Sequence, residues 1–223
     1  MVKEILTIKN EKNLSKLSER CDEIDTRKEN NEMREIILAL KHTLQEHKDG
    51  CGLAANQIGY NKRIFVINFA GDMRTFINPV IADAKNLTLN REKCLSIPNK
   101  EFIRPRHTEI TVMYQTPLGK SESRKLIGMA AFVFQHELDH LDGLLLSDIG
   151  LEIDKTFDDA PEEEKDKLLN AYMESLDLKK KNLDKEIEEN KELKQQSDAI
   201  KFMEKVIKNE VEFDGTVSRK KEK

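Results

Sequence analysis

The sequence contains no tryptophan, and aromatic residues make up only 5% of its 223 residues. It has no apolar run near the roughly 18 residues that a membrane-spanning helix needs, and its N-terminus lacks the apolar core of a secretion signal. Only three cysteines are present, Cys21, Cys51 and Cys94, and three thiols cannot all pair with one another. We therefore expect a soluble protein that stays in the reducing cytoplasm and has no membrane partner.

A surplus of positive charge is also missing. Charged residues make up 36% of the chain, yet its formal net charge is only -4. A chain without a basic surplus lacks the field that attracts nucleic acid without regard to sequence. We therefore do not expect a specific nucleic-acid partner.

The composition changes near Gly150. Up to this residue the chain has 22 basic and 21 acidic residues, whereas the remaining 73 positions hold 16 basic and 21 acidic ones. Pro161 and the acidic residues after it predict a helix start. Apolar residues then recur at steps of 3, 4 and 7, which predicts one or two amphipathic helices and leaves a coiled coil as an alternative. We predict one domain over residues 1–150 and a charged, mainly helical extension over residues 151–223.

The first 150 residues carry both helix and strand patterns. Residues 31 to 48 have apolar side chains at helical spacing and predict an amphipathic helix. Runs rich in Ile, Val, Phe and Thr predict strands over residues 62–69, 74–81 and 108–116. Residues 128–143 predict a buried helix, and residues 90–99, which hold Cys94, are interpreted as a loop. This order of elements indicates an α+β fold.

The motif with the most specific chemistry is His136-Glu137-Leu138-Asp139-His140. On a helix, residues four apart lie on the same face, so both imidazoles can bind one metal ion while Glu137 lies beside its open coordination position. A pair of hydrogen-bonded core histidines is the alternative interpretation. A catalytic metal site needs a third protein ligand. Spacing alone leaves four candidates for it: Cys94, Cys51, Asp139 and Asp142.

A second stretch, residues 49 to 59, is rich in small side chains. Gly50 and Gly52 flank Cys51, and two alanines and Gln57 follow. Small residues let another backbone approach closely, and the Gln57 amide can donate a hydrogen bond to a developing oxyanion. Taken alone, the stretch also fits an ordinary turn.

Together these stretches resemble the peptide deformylase family. The family motifs G-x-G-L-A-A-x-Q, E-G-C-L-S and Q-H-E-x-D-H occur here in the same order, at residues 50–57, 92–96 and 135–140. The resemblance runs from about residue 3 to Gly150. It implies an α+β fold with antiparallel and mixed sheets around a central metal-binding helix. It also implies a hydrolase that removes the formyl group from the N-terminal formyl-methionine of newly made polypeptides and releases formate.

The resemblance further implies a metal centre and its catalytic groups. The ligands of one divalent metal ion would be Cys94, His136 and His140. In much of the family this ion is natively Fe(II), and Zn or Ni is often found in isolated protein. Glu137 would move the proton of the attacking water, while the Gln57 amide and the Leu95 N–H would stabilise the oxyanion. Arg106 is expected to pair with Glu92.

The substrate would lie against two further groups of residues. The backbone of Gly50, Cys51 and Gly52 would pair with the peptide as an added strand. An apolar pocket for the methionine side chain would be lined by Met129, Phe132 and Val133, which lie on the helix turns before His136. Simple core packing is the alternative role for these three residues.

The chain departs from the family pattern at Lys93, where the second motif has glycine. A negative φ would let Lys93 point to solvent at little cost, whereas a positive φ would strain the backbone. An ammonium at the rim would favour peptides with acidic side chains or disfavour cationic ones. The alternative function is therefore a deformylase-like module that binds metal or peptide with weak or altered turnover.

Two hypotheses concern other activities. His-Glu-x-x-His also occurs in zinc endopeptidases, although the motif around Cys94 argues against a protease here. In bacterial relatives a C-terminal helix contacts the ribosome, and residues 151–223 could do the same, although their acidic surplus is poorly suited to RNA. Dimerisation through this extension is the other possibility.

Overall fold

The computed structural model describes residues 2–69 and 71–189. The chain divides into two compact units, Met1–Ala160 and Pro161–Lys223. The predicted boundary at residue 150 lies earlier in the chain and stays a prediction. Among the described residues, every helix is too short or too polar to span a membrane.

The first unit contains five α-helices in its described part: α1 (Glu11–Leu17), α2 (Asn30–Glu46), α3 (Met129–Leu141), α4 (Leu146–Ile149) and α5 (Lys155–Asp159). A short 3-10 helix covers Ala55–Ile58. Helices α2 and α3 lie where helical periodicity predicts them. In the second unit, α6 (Glu162–Glu189) begins directly after Pro161 with three glutamates in its first turn, as the sequence predicts. The part of the predicted helical extension over residues 190–223 lies outside the described residues.

Six strands form one antiparallel sheet in the described part of the chain: β1 (Gly52–Ala54), β2 (Ile64–Phe69), β3 (Asp72–Cys94), β4 (Ile97–Gln115), β5 (Ser121–Ile127) and β6 (Leu151–Ile153). Strands β1 to β5 are neighbours in sequence order, and β6 pairs with β4. The predicted α+β fold is confirmed. The predicted strand over residues 74–81 falls within β3, and those over residues 62–69 and 108–116 overlap β2 and β4 to within two residues at one end.

The loop predicted over residues 90–99 is wrong. Asn90, Arg91 and Glu92 pair with the facing residues of β4, and Cys94 is the last residue of β3. The ladder of backbone hydrogen bonds holds this polar stretch extended, although its side chains lack a continuous apolar face. Pairing changes register between Glu92 and Cys94, so the strand ends on an irregular turn beside the helix α3.

The sheet is packed between α2 and α3. Along β2, Ile64 and Val66 belong to the cluster around α2, whereas Phe65 and Ile67 belong to the cluster around α3. This alternation follows from the two-residue period of a strand, and it explains why β2 is apolar on both faces. In the cluster around α3, the rings of Phe65 and Phe134 are 5.0 Å apart in an edge-on arrangement. Burial of each such ring contributes about 1.5–3 kcal/mol, which fixes α3 against the sheet.

Candidate metal centre

The His136-Glu137-Leu138-Asp139-His140 motif lies on α3, and the side chain of Gln135 bonds this helix to the backbone of β4. The Gln135 amide donates to the carbonyl of His107 at 2.8 Å and accepts from its N–H at 3.0 Å, as a paired strand would. Gln135 is buried and directly precedes His136, so its two hydrogen bonds fix the position and the rotation of the motif relative to the sheet. Composition and periodicity alone gave no signal for this role of Gln135.

The end of β3 brings a thiol to the two imidazoles of α3. Donor atoms of Cys94, His136 and His140 all lie within 4.8 Å of one another, and the Cys94 Sγ is 3.2 Å from the His140 Nε2. Such a cluster leaves space for one ion at about 2.0–2.3 Å from each donor. A thiolate with two imidazoles suits a borderline-soft divalent ion, so the residues present fit a single metal.

His136 is oriented by a buried carboxylate. Its Nδ1 lies 2.9 Å from Glu92, which leaves Nε2 to face the cluster. Glu92 in turn accepts two hydrogen bonds from Arg106, at 2.6 and 2.9 Å. Burial raises the pKa of the Glu92 carboxyl, but the hydrogen bonds from Arg106 and His136 outweigh it and hold the pKa well below its usual range. The expected pair of Arg106 and Glu92 is therefore present, and it extends to the metal ligand.

The Cys94 thiol and the His136 imidazole stabilise each other's charged forms. Burial raises the pKa of the Cys94 thiol, but the charges and hydrogen bonds of His140 and His136 hold it well below its usual value. Burial likewise lowers the pKa of His136, and its hydrogen bonds to Cys94 and Glu92 raise it well above the usual value. A thiolate at neutral pH is the form that a metal ion binds.

Glu137 is a buried carboxyl with an open oxygen. Its Oε2 has no hydrogen-bond partner among residues 2–69 and 71–189. Burial raises its pKa to about 7, against the opposing charges of His136 and His140. A carboxyl that titrates near neutral pH can both accept and return a proton.

Gly52 leaves the space that this carboxyl occupies. A Cβ added to Gly52 would lie 2.8 Å from the Cδ of Glu137, closer than real Cβ atoms come to other atoms. Glycine is therefore needed at position 52 for steric reasons. The sequence of β1 does not reveal this need, because the contact is made by Glu137 on α3, a helix far away in sequence.

Gln57 presents its amide nitrogen to the same cluster. Its Oε1 accepts the N–H of Ala54 at 2.8 Å, and its Nε2 donates to the hydroxyl of Ser96 at 3.1 Å and lies 3.8 Å from the Cys94 sulfur. Because the oxygen is already bonded to β1, the NH2 group must point toward Cys94 and Ser96. Sequence analysis did not single out Ser96, although it stands in the second motif.

The outer edge of β1 faces the metal centre. Asn68 donates to the carbonyl of Cys51, so this pair is hydrogen-bonded across the β1–β2 ladder. The next pair, Gly52 and Ile67, is then a non-hydrogen-bonded one, and the N–H and C=O of Gly52 point away from β2. The strand therefore offers both backbone groups to anything that lies in the adjoining cleft.

One cleft of about 920 Å³ is lined by Gln57, Cys94, His136 and Glu137. The residues predicted to contact the substrate also line it, namely Gly50, Cys51, Gly52, Met129, Phe132 and Val133. Leu95, in the turn after β3, lines it as well. Cys51 is exposed on its wall. The other candidate ligands are engaged elsewhere, since Asp139 pairs with Arg106 at 2.6 Å and Asp142 pairs with Arg63 at 2.7 Å. The cluster of donors thus contains Cys94, and the roles of the lining residues stay predictions.

Lys93 lies on the rim of the cleft without backbone strain. It is exposed and lines the cleft, whereas its neighbours Glu92 and Cys94 are buried. Its φ is not positive, since only asparagines have a positive φ among the described non-glycine residues. The side chain can therefore reach solvent at little cost to the backbone.

The fold and site define a class of protein: an α+β domain in which one thiol and two histidines of a helix are grouped closely enough to hold a metal ion, next to an open strand edge. A sequence model of the polypeptide deformylase family matches residues 2–155, and the chain belongs to this family. Its members are metal-dependent enzymes that remove the N-formyl group from nascent peptides.

Individual relatives agree with this assignment. The chain is 35% identical over 135 residues to a peptide deformylase from Dictyoglomus turgidum, covering 60% of this chain and 84% of the relative. It is 39% identical over 117 residues to one from Thermotoga neapolitana, covering 49% and 71%. The crystal structure of the peptide deformylase from Thermotoga maritima superposes with a TM-score of 0.60 at 32% identity, covering 66% of this chain and 97% of that one.

Proposed function

We propose that this chain is a peptide deformylase that hydrolyses the formyl amide of N-terminal formyl-methionine, using Cys94, His136 and His140 to hold one divalent metal ion. The observation that carries the proposal is the cluster of three donors within 4.8 Å, beside the open carboxylate oxygen of Glu137. Nascent peptides in the cytoplasm are the substrate that follows from this chemistry.

Glu137 moves the proton in this reaction. A divalent ion at the three ligands would lower the pKa of a water molecule, so that hydroxide is available near neutral pH. Glu137 accepts the proton of that water and returns it to the departing amine. A C–O bond forms at the formyl carbon while the C–N bond breaks, and formate and a free N-terminal amine leave. The pKa of about 7 for Glu137 suits both transfers.

Gln57 and the backbone at Leu95 stabilise the charge that develops on the formyl oxygen. The NH2 group of Gln57 is held 3.8 Å from the Cys94 sulfur by its bonds to Ala54 and Ser96, so it needs no reorganisation during the reaction. Leu95 directly follows the ligand, in the turn after β3. Preorganised donors of this kind contribute about 2.7–4 kcal/mol each in other hydrolases.

The peptide binds as an added strand. The outward N–H and C=O of Gly52 pair with its backbone, so that recognition is independent of most side chains. The methionine side chain occupies the apolar part of the cleft at Met129, Phe132 and Val133. Met129 is 66% exposed, which fits a residue that gains its contacts from the substrate.

Formate release tests the proposal. The full chain, loaded with Fe(II) or Ni(II) without oxygen, is expected to release formate from a formyl-Met-Ala-Ser peptide. Glu137→Ala serves as the inactive control, and Glu137→Gln as the variant of equal shape. Release by the parent no faster than by Glu137→Ala would contradict the proposal, and internal cleavage of unformylated peptides would instead favour a protease.

Fe(II) is the proposed native ion, and Zn or Ni are the ions expected after isolation in air. The support for this is the donor set, which suits any of these ions, together with the preference of the family. Metal analysis of protein purified without oxygen, with kcat/KM measured on the same sample, distinguishes among the three candidate ions. Full activity with zinc alone would contradict the assignment of iron.

The alternative of a binding module with weak turnover is motivated by Lys93. Lys93 could weaken turnover in two ways, through backbone strain or through crowding of the substrate. Its φ is not positive, so backbone strain is not a reason for weak turnover. The remaining motive is crowding of the substrate by the side chain. A gain of tenfold or more in kcat/KM for Lys93→Gly would support this alternative.

The ribosome is a proposed partner through residues 151–223. The support is the family resemblance and the lysine run at residues 179–181, of which only the Lys181 side chain lies within the described part; the basic end at residues 219–223 lies outside it. Co-sedimentation of the full chain with ribosomes, compared with a chain lacking residues 160–223, tests this contact. Equal co-sedimentation of the two proteins would dispose of it.

A further inference from the structure

Among the described residues, two cations of the cleft lack a charged partner, Lys3 and Lys93, and of these only Lys93 is exposed. Arg91 also lines the cleft, but it pairs with Glu101 at 3.7 Å and with Asp158. The ammonium of Lys3 lies 5.3 Å from the centre of the Tyr60 ring. Lys93 is exposed and makes no ion pair with any described residue, so its charge is available to a ligand in the cleft.

The position of Lys93 places this charge along the path of a bound peptide. It precedes the metal ligand Cys94 at the end of β3, and it lines the same cleft as the outward edge of Gly52 on β1. A peptide paired with that edge would therefore have β1 on one side. It would occupy the same cleft that Arg91 and Lys93 line.

Chain geometry limits which substrate residue Lys93 can reach. The Cα atoms of Lys93 and Cys94 are about 3.8 Å apart, and an extended peptide advances about 3.3 Å per residue. With its flexible four-carbon stem, the ammonium can reach roughly the second or third residue of a peptide whose formyl group lies at the cluster of donors. The methionine itself is too close to the metal ligands to be the residue that it senses.

We propose that Lys93 is a specificity-determining residue that makes this chain prefer formyl-Met peptides with Asp or Glu at the second or third position. This inference rests on the proposed deformylase function. Glu4 and Asp49 also line the cleft and would repel acidic side chains near them, so the preference is expected at one position rather than along the whole peptide. A solvent-exposed ion pair of this kind changes binding by about two- to fivefold, mainly through KM.

Matched peptides test this preference on the metal-loaded full chain. Formyl-Met peptides carrying Glu, Gln or Lys at position two or three are compared by kcat and KM. The parent is expected to prefer Glu over Gln by two- to fivefold at one position, and to lose the preference in 0.5 M salt. Lys93→Gln should bring the ratio to about one, Lys93→Glu should invert it, and Lys93→Arg should retain it.

Lys120→Gln is the control for net charge, because Lys120 is exposed in the turn between β4 and β5 and does not line the cleft. It should keep the parent's ratio. A parent ratio of one at both positions, or a ratio that survives Lys93→Gln, would overturn the inference while leaving the deformylase function intact. No formate release from the neutral peptide by the parent would instead overturn the proposed function itself.

Discussion

At the residue scale, the geometry of the site depends on one missing side chain. Gly52 lies between the backbone edge that faces the cleft and the carboxyl of Glu137, and an added Cβ would come to 2.8 Å from both the Cγ and the Cδ of that carboxylate side chain. Atoms so close must separate, and Glu137 cannot retreat far because it is buried on α3. The cost of a larger residue at position 52 therefore falls on Glu137, the proposed catalytic base.

We predict that Gly52→Ala lowers kcat/KM about 100-fold, the scale of effect that a 1 Å displacement of a catalytic group produces. Metal content should be unchanged, because Gly52 contributes no ligand. Steady-state kinetics with metal analysis of the same preparation checks both points. Gly119→Ala is the control for backbone strain, since Gly119 has a φ of 74° in a distant turn. Activity of Gly52→Ala within twofold of the parent's would show that Glu137 tolerates the added atom.

Cys21 gives a second prediction at this scale, concerning stability. Burial raises the pKa of its thiol to about 12, against the attraction of Arg63. Because this pKa is higher in the folded state, the unfolded chain loses the thiol proton at a lower pH than the folded chain does. The contribution of Cys21 to the free energy of unfolding is therefore complete at neutral pH and declines above about pH 9. The free energy of unfolding should fall by up to about 1.4 kcal/mol per pH unit from this group.

Urea unfolding at several values between pH 8 and pH 10.5 measures this slope. The Cys21→Ala variant should show a shallower decline than the parent, whereas Cys51→Ala, which removes an exposed thiol, should follow the parent's slope. Parallel slopes for the parent and Cys21→Ala would refute the prediction.

At the element scale, β3, β4 and α3 are joined by one buried network of charges. Arg106 of β4 bonds Glu92 of β3 and Asp139 of α3, and Glu92 orients the ligand His136. Arg106 is 3% exposed and is the arginine that neutralises Glu92, whereas Asp139 also pairs with Arg104 at 3.3 Å. Loss of one partner in a buried network leaves an uncompensated charge, which is more costly than loss of a surface pair.

We predict that Arg106→Gln lowers the free energy of unfolding by about 3–5 kcal/mol. Metal affinity should fall about 10- to 100-fold, because Glu92, which orients His136, loses the partner that holds it in place. Urea unfolding and competition with a chelator measure the two effects. Arg74→Gln, which removes an exposed pair with Asp72 on the same sheet, should cost less than about 1 kcal/mol. An equal cost for the two variants would mean that the network does not act as a unit.

Periodicity predicted the elements whose residues bury one continuous face. The helices α2 and α3 and the strand β2 are of this kind, since their apolar spacing is dictated by the elements packed on them. Strand pairing around Cys94 was missed because polar residues there are held by the backbone ladder, which leaves no apolar pattern. The partners of the predicted site residues, such as Ser96 for Gln57, were also missed, since they depend on distances between elements far apart in sequence.

At the scale of the whole molecule, the proposed metal centre would be a cross-link between the sheet and α3. Its ligands come from the end of β3 and from two turns of α3, elements separated by β4 and β5 in the chain. Because the unfolded chain does not hold these three donors together, an ion that binds the folded form stabilises it by mass action. The stability of the domain and the occupancy of the site are therefore linked.

We predict that removing the metal with a chelator lowers the melting temperature by roughly 5–10 °C. An ion present at 100 times its Kd adds about 2.7 kcal/mol, and each kcal/mol corresponds to about 2–4 °C in a domain of this size. Calorimetry of the metal-loaded and chelated full chain measures the shift. The His140→Ala variant lacks a ligand, so its melting temperature should respond little to either metal or chelator. A similar shift in parent and variant would mean that the ion binds elsewhere, and that Cys94, His136 and His140 do not join the sheet to the helix through a metal.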